Sequence, residues 1–163
     1  MNVKPNPKIF VLIFLIIFLG CSRSSDLPTP GKIGEKERVR EITGKQATRM
    51  VNKMHGRSVA TDANVIVEYG RDQKDILFVS YYRDQSEAKK AFDLMIAKMA
   101  SAKKGPFFHL MPLADYKNKV YLTLGMGAMH YIYLSGQSLL WLQTYQSFGD
   151  KLPRGLVDHY PVS

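Results

Sequence analysis

One cysteine occurs in the 163 residues, Cys21, and it follows an unbroken apolar run, Ile9 to Leu19, and a glycine, Gly20. A chain with one thiol cannot close an internal disulfide, so whatever folds here must be held by burial of apolar surface. The length permits that: residues 21–163 number 143, the size of one domain with a short lead-in. No internal repeat is visible.

The run itself is too short for a typical membrane span, which needs about 20 apolar residues. Its eleven positions instead match the apolar core of a secretory signal, about 7–15 residues long, with Lys4 and Lys8 as the positive lead and Gly20 as the small residue before the cut. Phe18-Leu19-Gly20-Cys21 resembles the lipobox of bacterial lipoproteins, departing from it at Phe18, where leucine is usual. The resemblance covers residues 1 to about 25. It implies that residues 1–20 are removed, that Cys21 becomes the N-terminus, and that its thiol carries a diacylglyceryl group, the only cofactor-like moiety expected. Two or three acyl chains anchor stably where one does not. Ser22, in place of the retention-type Asp, implies the periplasmic face of the outer membrane if the bacterium is diderm. Residues beyond the signal resemble only small uncharacterised bacterial lipoproteins.

Loss of Lys4 and Lys8 lowers Lys+Arg from 23 to 21 against 14 acids, a net charge of +7. A basic balance can point to nucleic acid, but export argues against that partner. Residues 22–41 begin Ser/Pro/Gly-rich and end in a mixed charge run, with few large apolar side chains. Such composition offers little to bury against the entropy of ordering. Residues 21–41 therefore read as a lipidated, flexible tether reaching roughly 65 Å when extended, with a helix over the charge run as the alternative. The folded domain is expected over 42–163.

Within it, Thr43-Gly-Lys-Gln46 matches a capping box, and Ala47, Met50, Val51 and Met54 follow at helical spacing up to a stop at Gly56. This predicts a helix over 44–55, with Lys45, Arg49 and Lys53 as a basic stripe opposite the apolar face. A solvated surface is the simpler reading of that stripe; a contact with anionic phospholipid is the other. Asp84-Gln-Ser-Glu87 opens a second helix over 85–102, with Ala88, Ala91, Phe92, Met95, Met99 and Ala102 on one face. Strands are expected at 64–69, 75–82, 107–111, 119–124, 129–134 and 138–145, and residues 146–163 as coil with one short helical turn at most. The fold class is α+β: two helices on one face of a mostly antiparallel sheet, in the order α-β-β-α-β-β-β-β.

Chemistry is harder to find. Gly125-Met-Gly127 precedes a strand rather than a helix, so it fails the context for a phosphate-binding loop and reads as a tight turn, with a ligand-contacting turn as the alternative. His130 and Tyr131 on one strand and Trp141 on the next form an aromatic region that could take a small molecule or haem. A satisfied strand histidine is the simpler reading. The four histidines have no metal-ligand spacing. Seven methionines after the signal read mainly as core filler. Glu68 reads as an exposed strand carboxylate or an edge ion pair, and no acid/base pair or nucleophile context stands out. The sequence thus leads to a non-catalytic accessory domain, lipid-anchored to a membrane, binding an envelope protein or polymer. A ligand-binding lipoprotein using His130, Tyr131 and Trp141 is the first alternative, and an enzyme acting on envelope polymer the second.

Overall fold

Alternation of β-branched and aromatic residues with polar ones dictates a sheet with two different faces, and eight strands assemble it. The computed structural model describes residues 29–55, 58–59, 61–149 and 151–163. The strands are β1 (Lys32–Ile33), β2 (Lys36–Ile42), β3 (Ala63–Tyr69), β4 (Asp75–Tyr81), β5 (Phe107–Pro112), β6 (Val120–Gly125), β7 (Ala128–Ser135) and β8 (Ser138–Thr144). Helix α1 (Gly44–His55) joins β2 to β3, α2 (Gln85–Ser101) joins β4 to β5, and a short α3 (Arg154–Val157) follows β8. The spatial order is β1-β2-β3-β4-β8-β7-β6-β5, with every neighbouring pair antiparallel. Helix α2 carries the chain from β4 to the far edge, and β5 to β8 return as a meander until β8 pairs with β4.

On the inner face Val65, Val67 and Tyr69 of β3, Leu77, Val79 and Tyr81 of β4, Tyr131 and Tyr133 of β7, and Val120 and Leu122 of β6 join one buried cluster with Ile33, Leu152, Leu156 and Tyr160. Strands β3 and β6 are not neighbours, so the sheet must curl for its inner face to close around the segment after β8. Tyrosine hydroxyls satisfy themselves there. Tyr81 and Tyr160 share a hydrogen bond of 3.0 Å, Tyr133 donates to the Tyr160 carbonyl at 3.0 Å, and Tyr131 donates to the Gly149 carbonyl at 3.1 Å. Burial pushes the hydroxyl pKa values of Tyr81, Tyr133 and Tyr160 upward, so these phenols stay protonated donors. Residues 151–163, expected as coil with one short helical turn at most, hold the four-residue α3 and pack into the curl through Leu152, Leu156 and Tyr160.

Helices α1 and α2 each pack with a further cluster of their own. Ala47 and Val51 of α1 pack with Ile42 and Ile66, against half-buried Ile76 and Phe78. Ala88 and Phe92 of α2 pack with Ile132 and Leu139, against half-buried Tyr121 and Trp141. Asp84 caps α2, its carboxylate accepting the Glu87 N–H at 2.9 Å, as the capping box requires. Gly56, the expected stop of α1, lies outside the described residues.

Two expectations are overturned. Among the described residues β1 and β2 precede α1, and the order becomes β-β-α-β-β-α-β-β-β-β-α. Residues 32–41, read as tether, belong to the sheet. Ile33 is their one fully buried apolar side chain, and Tyr69 donates its hydroxyl to the Pro30 carbonyl at 2.9 Å. At Gly155 of α3 a Cβ would meet the Lys32 carbonyl oxygen at 2.4 Å, so α3 closes directly on β1. The charged side chains of β2 are compatible with a strand because that strand lies near the sheet edge. It pays little for burial, gains backbone hydrogen bonds to β3, and pairs Arg40 with Glu68 at 3.6 Å.

The second correction concerns α1. Met50 and Met54 were expected in the core but are 40% and 57% exposed. The helix rests on small Ala47 and β-branched Val51, which leaves its methionines turned away from the sheet.

Candidate functional site

Register sorts the expected ligand-binding residues onto opposite faces. Along β7, His130 and Ile132 point outward while Tyr131 and Tyr133 point inward, as period-2 alternation demands. Trp141 of β8 pairs in register with Ile132 and so shares the outer face with His130. His130 and Trp141 are therefore brought together, whereas Tyr131 belongs to the inner cluster and cannot join them in one site.

His130 is 1% exposed and fully engaged. The Trp141 indole N–H donates to Nδ1 at 2.9 Å, and Nε2 lies 3.0 Å from the Gly125 carbonyl. Indole can only donate and a carbonyl can only accept, so the neutral tautomer with its proton on Nε2 satisfies both bonds. Burial lowers the pKa of the imidazole, and the hydrogen bond to the Gly125 carbonyl opposes that in part. Phe107 closes the group edge-on, with ring centroids 5.0 Å from His130 and 5.1 Å from Trp141. With both ring nitrogens occupied, the arrangement is that of a satisfied core histidine. Haem or metal ligation at His130 would cost it at least one of these hydrogen bonds. Among the described residues no three His, Asp or Glu side chains converge on a point that could hold a metal ion.

Gly125 and Gly127 take part in something different. Residues Met126 and Gly127 form the two-residue turn between β6 and β7, with φ of 50° and 76°. At Gly125 a Cβ would lie 2.4 Å from the Pro106 carbonyl oxygen, so only glycine lets β5 approach there. Beside this turn an open cleft of about 430 Å³ is lined by Gln73, Phe108, Leu124, Gly125, Gly127, Ala128, Met129, Thr144 and Tyr145. Phe108, Leu124, Met129 and Thr144 are successive register partners across β5, β6, β7 and β8, so they form one row on the inner face. This is the margin of that face which residues 151–163 do not fill. Phe108, Met126 and Tyr145 are exposed around it. The neighbouring edge of β5 is blunted by a bulge at His109 (φ 55°) and by Pro112, so side chains rather than a free strand edge offer contact.

Asp75, missed as a site residue, is fully buried and organises the same end of the sheet. It accepts from Lys36 Nζ at 2.9 Å, from the Tyr145 N–H at 3.1 Å and from Gln146 Nε2 at 2.7 Å. One carboxylate thereby ties β2 to the end of β8 and positions Tyr145 at the cleft. Its signal in the sequence is an Asp opening an apolar strand, which is indistinguishable from a turn residue until its partners are known. Glu68 is an ion-pair partner of Lys74, just before β4, at 2.6 Å and of Arg40, across on β2, at 3.6 Å.

Lys45, Arg49 and Lys53 are all exposed on α1. Gly20 and Cys21, the expected cleavage and lipidation positions, lie outside the described residues. No protein-family model, no curated protein and no solved structure matches the chain.

Proposed function

We propose that this chain is a lipid-anchored, extracytoplasmic lipoprotein whose α+β domain is a non-catalytic accessory module, binding a partner protein or polymer of the cell envelope. The observation that carries the anchor is the order Lys4, Lys8, eleven apolar residues, Gly20 and Cys21. With Cys21 as the mature N-terminus, seven residues (22–28) separate the lipid from Thr29. A span of that length reaches at most about 26 Å, so the domain sits close to its bilayer. In this reading α1 and α2 share the outer face of the sheet, since Ile66, Phe78, Trp141, Ile132 and Tyr121 form one row of register partners beneath them.

The cleft row Phe108–Leu124–Met129–Thr144 is the partner surface we favour. It is open at Phe108 and largely apolar, which suits an inserted side chain of a protein. Its volume of about 430 Å³ also falls in the range of small-molecule sites, which supports the ligand-binding alternative at Gly125 and Gly127 rather than at His130.

Radiolabelled palmitate incorporation tests the anchor. The wild-type chain should take up label, and Cys21→Ser should take up none and accumulate as precursor. Equal labelling of the two would overturn the reading.

A further inference from the structure

Helix α1 presents two parallel rows to solvent. Lys45, Arg49 and Lys53 form one at i, i+4 and i+8; Met50 and Met54 form the other beside it. The helix contains no carboxylate. Some bases of the domain are compensated, as Lys36 is by Asp75, Arg38 by Glu41, Lys74 by Glu68 and Arg83 by Glu87. Among the described residues Lys45, Arg49 and Lys53 enter no ion pair. An uncompensated basic row flanked by exposed thioether side chains is the composition of a helix that lies at an anionic lipid interface.

A second, independent observation places such an interface nearby. The described chain starts at Thr29, whose hydroxyl donates to the Glu41 carboxylate and accepts from Arg38 at 2.7 Å. Glu41 precedes the first residue of α1, Gly44, by three positions. Thr29 is thus held against β2, the strand that leads into α1, on the side of the sheet where Glu41 pairs with Val67 and Arg38 with Tyr69, and seven residues separate it from Cys21. We propose that the exposed face of α1 docks on an anionic phospholipid surface, Lys45, Arg49 and Lys53 against headgroup phosphates and Met50 and Met54 at the boundary with the acyl chains. The proposal rests on the lipid anchor at Cys21, which holds this corner of the domain within about 26 Å of the headgroups. Each base near an anionic surface strengthens association about fivefold, so the row supplies on the order of a hundredfold beyond what tethering alone provides.

The processed, lipidated full chain is the material for the test. With Cys21 blocked by lipid, Met54→Cys introduces one free thiol, which is labelled with an environment-sensitive fluorophore; Asp115→Cys, exposed between β5 and β6 towards the far edge of the sheet, is labelled as control. Each is reconstituted into phosphatidylcholine vesicles with or without phosphatidylglycerol, carrying lipid-attached quenchers. Docking predicts strong quenching at position 54 with phosphatidylglycerol, weak quenching without it, loss of quenching in high salt, and none at position 115. A triple Lys45→Glu, Arg49→Glu, Lys53→Glu chain with an unchanged unfolding transition should lose the quenching at position 54. Equal quenching at 54 and 115, or at 54 on neutral and anionic vesicles, overturns docking while palmitate uptake leaves the anchor standing. A chain that takes up no palmitate overturns the anchor and this proposal together.

Discussion

Helices α1 and α2 begin as one sequence pattern and end as two kinds of structure. Each follows a capping-box sequence, and each carries apolar residues at helical spacing. Helix α2 uses that face as the pattern implies. Phe92 is buried edge-on against Tyr121, with ring centroids 5.8 Å apart, and Met95 and Met99 pack against the same cluster. Helix α1 uses only half of its pattern, burying Ala47 and Val51 and exposing Met50 and Met54. The difference lies in what the sheet offers. Beneath α2 lies the broad meander, with Ile132, Leu139 and Trp141. Beneath α1 lie β3 and β4, with Ile66 and the half-buried Ile76 and Phe78. Periodicity reports which residues could be buried; the receiving surface decides how many are.

The contrast can be broken most sharply at Phe92. Phe92→Ala should cost about 3–5 kcal/mol in chemical denaturation, as a buried ring does. A loss below about 1 kcal/mol would mean that α2 is no better seated than α1. Within α1 the two sides of the helix separate next. Val51→Ala should cost about 2 kcal/mol, from lost burial and the cavity left behind. Met54→Ala should stay within about 0.5 kcal/mol. Comparable losses at 51 and 54 would show that the methionines are part of the core after all.

The pH dependence sharpens the comparison from the α2 side, where His130 bonds to Trp141. Its folded pKa lies below the ordinary value of 6.5. The unfolded chain therefore binds a proton first as pH falls, and the contribution of the neutral imidazole is present above about pH 6.5 and lost as pH drops through the folded pKa. Urea unfolding followed through the single tryptophan, Trp141, should show falling stability below that pH. His130→Gln should be less stable at neutral pH but should lack the part of the acid dependence that belongs to residue 130. An acid limb unchanged by the substitution would assign it to other groups.

What was legible in the sequence follows from short-range physics. Both long helices and six of the eight strands coincide with apolar periodicity to within a residue or two, because which side chains share a face depends only on 3.6- and 2-residue repeats. The tight turn at Met126-Gly127 was legible because positive φ restricts residue choice, and the split between His130 and Tyr131 was implicit in strand alternation.

Tertiary structure alone decided the rest. Charged β2 reads as tether because composition measures what a segment can bury, whereas a strand near the sheet edge is held by the backbone of its neighbours and by ion pairs such as Arg40–Glu68. Leu152, Leu156 and Tyr160 sit in a tail rich in glycine and proline, yet they fill the curl because Tyr81 and Tyr133, 79 and 27 residues from Tyr160, hydrogen-bond to it. The cleft row from Phe108 to Thr144 exists only once four strands are in register, and the exposure of Met50 and Met54 only once α1 seats on Ala47 and Val51. Each of these depends on a partner distant in the chain, and the energy that selects such a partner is absent from any local pattern.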